Sequence, residues 1–345
     1  MSASNGDIAG FGGNPGFYAV TPTTRVASGD TAPSVYGIGM AVIPSGKYLF
    51  ASLDNSESIE TFKITPSPCK LTPAHNLAGI GDQVGPLAVS SDGKVLIVPG
   101  PNNSFVNAYA IAPNGSLALI NPSGTICTVT TLPCSIDLTT TVQSNCPTVG
   151  VGCYPTGIDI SQVIGGNATV ALGNATVAGP YYITCSLNTS PLFGLSACNT
   201  QPITGPGAAL ANIESPFYNK AGYSGATTAG IYFGASGFGT GYPAGVSLNP
   251  VAVGGGVTAA STAAYVNPAA YYASNAQDFT NGAIQYVWQS GVTSAAVNTM
   301  YLYKWNGIVF VSVGGWPKSL ANPNANGTSY VLSLQALNQA GMQTR

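Results

Sequence analysis

At 345 residues the chain is long enough to bury a large core, and 45% of it is hydrophobic, a content that excludes a disordered chain. Charged residues make up only 6%, nine Lys plus Arg against eleven Asp plus Glu with a single His, for a net charge of −2. A surface so nearly neutral does not attract polyanions, which argues against nucleic acid as a partner, and no run of 18 apolar residues offers a transmembrane helix.

Residues 1–33 are rich in Gly, Ser, Thr and Asn, with one apolar cluster at 16–20. That cluster suits a single strand closing the last unit of a ring, a device that removes an exposed sheet edge. From Tyr36 to Ile120 one pattern is written twice. Gly46 and Gly93, Lys47 and Lys94, Phe62 and Tyr109, and Ile64 and Ile111 are each 47 residues apart. In the first copy strands are expected at 40–43, 48–50, 59–64 and near Leu71. In the second they are expected at 87–90, 95–98, 106–111 and near Leu117. The turns are Pro44-Ser45-Gly46-Lys47 and Asp92-Gly93, where glycine tolerates the positive φ of a tight hairpin. Four short strands in 47 residues match one blade of a radial repeat.

Residues 121–154 break the rhythm with a Thr-rich insertion that carries four cysteines. The pattern returns at 155–161, at 230–236 and 245–248 as second and third strands of a later blade, and at 300–305 followed by 308–313. A last apolar run lies at 329–334. No long amphipathic helix is legible, and the Ala-rich stretch 259–273 is interrupted by Asn267 and Pro268. The expected class is all-β: one domain over 1–345 with six or seven four-stranded blades, seven slightly favoured, and an insertion stapled by disulfides.

The seven cysteines fall mostly in close pairs, Cys127 with Cys134, Cys146 with Cys153 and Cys185 with Cys198, leaving Cys69 as a buried thiol or an intermolecular link. Locally closed loops of this kind point to disulfides in an oxidising compartment, although sequence does not fix which thiol pairs with which. Zinc would call for CxxC-type spacing and histidine, and neither is present. Six N-glycosylation sequons, at Asn102, Asn114, Asn167, Asn174, Asn188 and Asn326, mark exposed loops if the host glycosylates exported proteins. No basic and apolar signal region is visible in the first 30 residues, so the chain reads as a mature exported protein or one that leaves by another route. The expected location is extracellular or at the cell surface.

The stretches Ile43-Pro44-Ser45-Gly46-Lys47-Tyr48-Leu49-Phe50 and Val89-Ser90-Ser91-Asp92-Gly93-Lys94-Val95-Leu96-Ile97, each followed by a strand of the type at 59–64, resemble the repeat of lactonase-like (YVTN-type) β-propellers. The resemblance is good over 34–120, suggestive at 155–161, 230–248 and 300–313, and absent from the insertion. It implies a propeller fold, and a family that holds sugar-acid lactonases alongside exported members of unknown role. Enzymatic members use His, Arg and acidic side chains near the channel. Here His75, Arg25 and Arg345 match no such motif.

His75, between expected strands, reads as a loop residue or hydrogen-bonding anchor, and no Gly-x-Ser-x-Gly elbow supplies a serine nucleophile. Asp82, Asp92, Asp159 and Glu214 are the only candidates for a hard-metal site, and Asp92 is better explained by its turn. Asp54, Glu57 and Glu60 read as a solvated cluster. No catalytic residue, cofactor or metal is therefore assigned. The abundant tyrosines suit strand packing, and Tyr271 and Tyr272, expected in a loop, suit an interface. The sequence favours a non-enzymatic exported structural or adhesive propeller whose partners are copies of itself, other surface proteins or glycans. A lactonase-type hydrolase or a carbohydrate-binding propeller is the alternative.

Overall fold

The computed structural model describes residues 8–12, 21–26, 36–54, 58–66, 69–77, 86–100, 105–120, 136–137, 155–174, 181–191, 193–202, 212–218, 231–236, 245–246, 270–281, 284–293, 298–306, 310–316 and 318–320. All regular structure among them is β. Strands β1 (Ile8–Gly12) and β2 (Thr21–Val26) pair with each other. A four-stranded antiparallel meander follows: β3 (Tyr36–Val42), β4 (Tyr48–Asp54), β5 (Ser58–Pro66) and β6 (Cys69–Leu77). The second meander is β7 (Ala88–Val89), β8 (Val95–Gly100), β9 (Phe105–Ile111) and β10 (Leu117–Ile120).

The duplication extends to individual hydrogen bonds. Gly46 N–H donates to Ile43 O at 2.7 Å, and Gly93 N–H to Ser90 O at 2.8 Å. Ile64 N–H donates to Lys47 O and Ile111 N–H to Lys94 O, at 2.8 and 2.9 Å. Donors and acceptors in both sets are 47 residues apart. Both turn glycines have positive φ, 66° and 72°, a conformation that an L side chain adopts only with strain.

From the insertion, β11 (Ile136–Asp137) is described; it pairs with Val106 and Phe105 at the end of β9 and gives that sheet a fifth strand. The third meander is β12 (Pro155–Ile160), β13 (Asn167–Asn174), β14 (Tyr181–Asn188) and β15 (Gly194–Pro202). Next come β16 (Asn212–Tyr218), β17 (Ile231–Ser236) and β18 (Gly245–Val246), tied to β13 through the pairing of Ile213 with Asn174. The last meander is β19 (Ala270–Asn281), β20 (Ile284–Thr293), β21 (Asn298–Trp305) and β22 (Phe310–Ser312), with β23 (Lys318–Leu320) also on β21. Four complete meanders, a three-stranded unit and the β1–β2 pair make six units among the described residues. The strands expected at 16–20 and 329–334 lie outside the described residues. Where the Ala-rich stretch is described, 270–273, it opens β19.

The core shows how the sheets stack. Alternate residues of β8 leave opposite faces: Leu96 and Val98 pack with Ala41, Phe50 and Ile59 of the first meander, while Val95 and Ile97 pack with Val170, Leu172 and Ile183 of the third. The second sheet is therefore buried on both faces by its neighbours. This explains the unbroken apolar run at 95–98, which strict hydrophobic-polar alternation would not allow. On the far face of the first meander Met40, Leu49, Ala51 and Phe62 form a further cluster. Full burial of a side chain such as Phe50 or Phe62, both at 0% exposure, contributes about 2–3 kcal/mol.

Candidate functional site

The first strands of the first three meanders touch in succession, β3 with β7 and β7 with β12, so they face the axis about which these sheets are arranged. In sequence these three strands hold one carboxylate, Asp159, and no His, Lys or Arg. Asp159 is half-buried on β12, opposite Ala171. Of the other metal-ligand candidates, Asp82 lies outside the described residues and Glu214 sits in β16. Among the described residues no three His, Cys, Asp or Glu side chains gather as metal ligands.

His75 is far from these axial strands. It lies in β6, the fourth strand of its blade, where a loop position was expected. Its cross-strand partner is Thr61 on β5. Both side chains donate to the β9–β10 turn of the next blade: Thr61 Oγ1–H to Gly115 O at 3.2 Å, and His75 Nε2–H to Asn114 O at 3.1 Å. Two consecutive carbonyls of one blade are thus held by a cross-strand pair of the other, and His75 is an anchor of the seam between them. Arg25 falls in β2 and Arg345 outside the described residues.

The expectation of a solvated acidic cluster at Asp54, Glu57 and Glu60 is corrected at Glu60, which is 2% exposed. β5 is an interior strand of its sheet, with β4 and β6 on either side and a neighbouring blade against it, so residues 58–62 are all buried. Tyr271 and Tyr272 are likewise in a strand, β19, rather than a loop; Tyr272 pairs with Val292 across an irregularity in register.

Asp92 joins the second and third blades. One carboxylate oxygen accepts from Ser90 Oγ–H at 2.6 Å and Lys94 N–H at 3.2 Å; the other accepts from Thr189 Oγ1–H at 2.6 Å. Beside it, Ser91 Oγ accepts from Val163 N–H at 2.8 Å, and Thr189 N–H donates to Gly166 O at 2.7 Å. The turn residue foreseen in the sequence is therefore also an inter-blade clamp, which no local pattern could show because Thr189 lies 97 positions away. Partial burial alone would raise the carboxyl's pKa. The hydrogen bonds from Ser90, Thr189 and Lys94, with the Lys94 charge, outweigh it and hold Asp92 below its ordinary value.

A lowered carboxylate pKa stabilises the fold above the unfolded value of about 3.9, and that contribution disappears as pH falls through the folded value. Asp92→Asn is accordingly expected to lower the thermal midpoint at pH 7, with a loss of at most about 1 kcal/mol because solvent screens the site. Melting both proteins from pH 7 to 3 should show the gap closing below about pH 4.

Cys185 and Cys198 form a disulfide between β14 and β15, as the close spacing suggested. Cys127, Cys134, Cys146 and Cys153 lie outside the described residues, and Cys69 opens β6 opposite Pro66. Of the sequons, Asn114 and Asn167 are exposed and Asn188 half-buried; Asn174 ends β13, and Asn102 and Asn326 lie outside the described residues. Among the described residues no helix is long and apolar enough to cross a membrane.

Similarity to known structures agrees with this architecture. The periplasmic gluconolactonase PpgL of Pseudomonas aeruginosa aligns over 93% of this chain and 78% of its own, with TM-score 0.53 and 12% identity. The chain has a β-propeller fold. A proposed 6-phosphogluconolactonase from Bacteroides uniformis aligns over 86% of this propeller and 74% of its own chain, with TM-score 0.48 and 10% identity. The Cps50 (Swd1) β-propeller domain of Myceliophteria thermophila aligns over 62% and 57%, with TM-score 0.36 and 10% identity, so the propeller here spans little more than half of that chain. No protein-family model and no curated protein matches the sequence. Likeness at such low identity establishes the fold and leaves the chemistry to the residues themselves.

Proposed function

We propose that this propeller is an exported, non-enzymatic structural or adhesive protein of the cell surface that associates with copies of itself. The observation that carries the reading is the position of His75. Hydrolysis of a lactone requires a base positioned at the reacting centre, most often a histidine. The chain has one histidine, and its Nε2–H is engaged with Asn114 O on the outer strand of a blade, remote from the axial strands. The nearly uncharged surface supports the same reading, because like-charge repulsion that would keep copies apart is weak. The Cys185–Cys198 bridge supports an oxidising destination.

Size-exclusion chromatography with negative-stain microscopy over rising concentration tests the proposal. Oligomers, a lattice or filaments are the expected result. A particle that stays monomeric throughout, or turnover of a lactone panel that is lost in His75→Ala, would overturn it.

A further inference from the structure

Three sequons have described side chains, and their surroundings differ in a way the tripeptide alone does not reveal. Asn114 stands exposed in the β9–β10 turn. That turn is closed by Gly115 N–H to Ala112 O and Ala112 N–H to Ser116 O, at 2.8 and 2.9 Å, with Gly115 at φ 84°. Within it, Asn114 Oδ1 accepts both Ser116 N–H at 3.1 Å and Ser116 Oγ–H at 2.8 Å. The sequon hydroxyl is thus already seated on the carboxamide oxygen, and no described residue accepts a hydrogen from Asn114 Nδ2. Two donors on Oδ1 stabilise the negative charge that this oxygen acquires as Nδ2 gives up a proton.

The other two sequons lack this arrangement. Asn167 is exposed, but its Nδ2 donates to Gly165 O at 3.3 Å. Asn188 is half-buried and its Oδ1 accepts Ser190 N–H at 2.9 Å, while Ser190 itself is packed against the backbone of Gly166 in the facing turn. Transfer to Asn167 would first have to break the bond from its Nδ2 to Gly165 O, and Asn188 is less accessible than Asn114.

We propose that Asn114 is an N-glycan acceptor, used in preference to Asn167 and Asn188. In the transfer, Nδ2 forms a bond to the anomeric carbon of a glycan carried on a lipid pyrophosphate. The bond from that carbon to the pyrophosphate oxygen breaks, the lipid pyrophosphate leaves with the electron pair, and the Nδ2 proton passes to a base of the transferase. The seam is undisturbed, because His75 holds the main-chain oxygen of Asn114 and the glycan attaches to its side chain. The inference rests on the exported reading.

The test is peptide mapping by mass spectrometry on full-length protein recovered from outside its own cells. Sugar mass on the peptide holding Asn114, at higher occupancy than at Asn167 or Asn188, is the expected result. Ser116→Ala, checked for folding by circular dichroism, should bring occupancy at Asn114 to background, and Ser116→Thr should restore it. A bare Asn114 on exported protein, higher occupancy at Asn188, or unchanged occupancy in Ser116→Ala would overturn this inference and leave the exported reading standing. Protein found only inside the cell would overturn both.

Discussion

Gly39→Ala is expected to destabilise the protein by about 3 kcal/mol, at the upper end of the cost of forcing an extra carbon into a packed site. A Cβ on Gly39 would lie 2.6 Å from Pro86 Cα and 2.9 Å from Leu87 N. Both atoms belong to the backbone that leads into β7, so no rotamer change can relieve the contact. Gly39 cannot retreat either. Its N–H donates to Ser52 Oγ at 2.8 Å and its carbonyl accepts from the same hydroxyl at 3.3 Å, fixing the strand beside the irregularity between Gly37 and Gly39. The first two blades approach too closely there for any side chain. Urea denaturation should show a lowered midpoint with unchanged slope. Gly314→Ala is the control: nothing lies within 4 Å of its Cβ, and a shift within about 0.5 kcal/mol is expected. Equal effects at the two sites would disprove the close inter-blade approach.

The repeated blade was legible because its determinants are local. Ser90 to Lys94 makes its turn by itself, and Lys94 O takes Ile111 N–H just as Lys47 O takes Ile64 N–H. What joins one blade to the next was not legible. Glycine at 39, Thr61 with His75, and Asp92 with Thr189 act on partners 39 to 97 positions away, and nothing near them in sequence distinguishes a clamp from a solvated turn. Glu60 was misjudged for the same reason, since its burial comes from flanking strands and a neighbouring blade rather than from its own segment. Tyr271 and Tyr272 were placed in a loop because Asn267 and Pro268 break the pattern just before them, yet β19 begins at Ala270. For the candidate site, sequence showed which chemistry is scarce, and only the fold showed that the single histidine lies on an outer strand.

Removing the Cys185–Cys198 bridge is the second large effect expected, also about 3 kcal/mol, the value for a closed loop of roughly 15 residues. The two cysteines are 13 positions apart, and the bridge crosses β14 and β15 where their register shifts between Thr184 and Ser186. An irregular ladder has fewer hydrogen bonds to keep the strands together, so a covalent tie is most useful there. The sulfurs also lie within the apolar layer between the second and third blades, with Cys185 1% and Cys198 4% exposed. The replacement must therefore be apolar: serine would add two buried hydroxyls, and their desolvation would obscure the effect of the bridge. The double variant Cys185→Ala with Cys198→Ala should unfold at a lower urea concentration than the oxidised protein. Full reduction of the wild type in urea should bring its midpoint close to that of the variant. If the variant matches the oxidised protein, β14 and β15 hold their register without the bridge, and the tie adds nothing to the stability of the third blade. If it falls as expected, the third blade draws part of its stability from a bond that forms and persists in an oxidising environment.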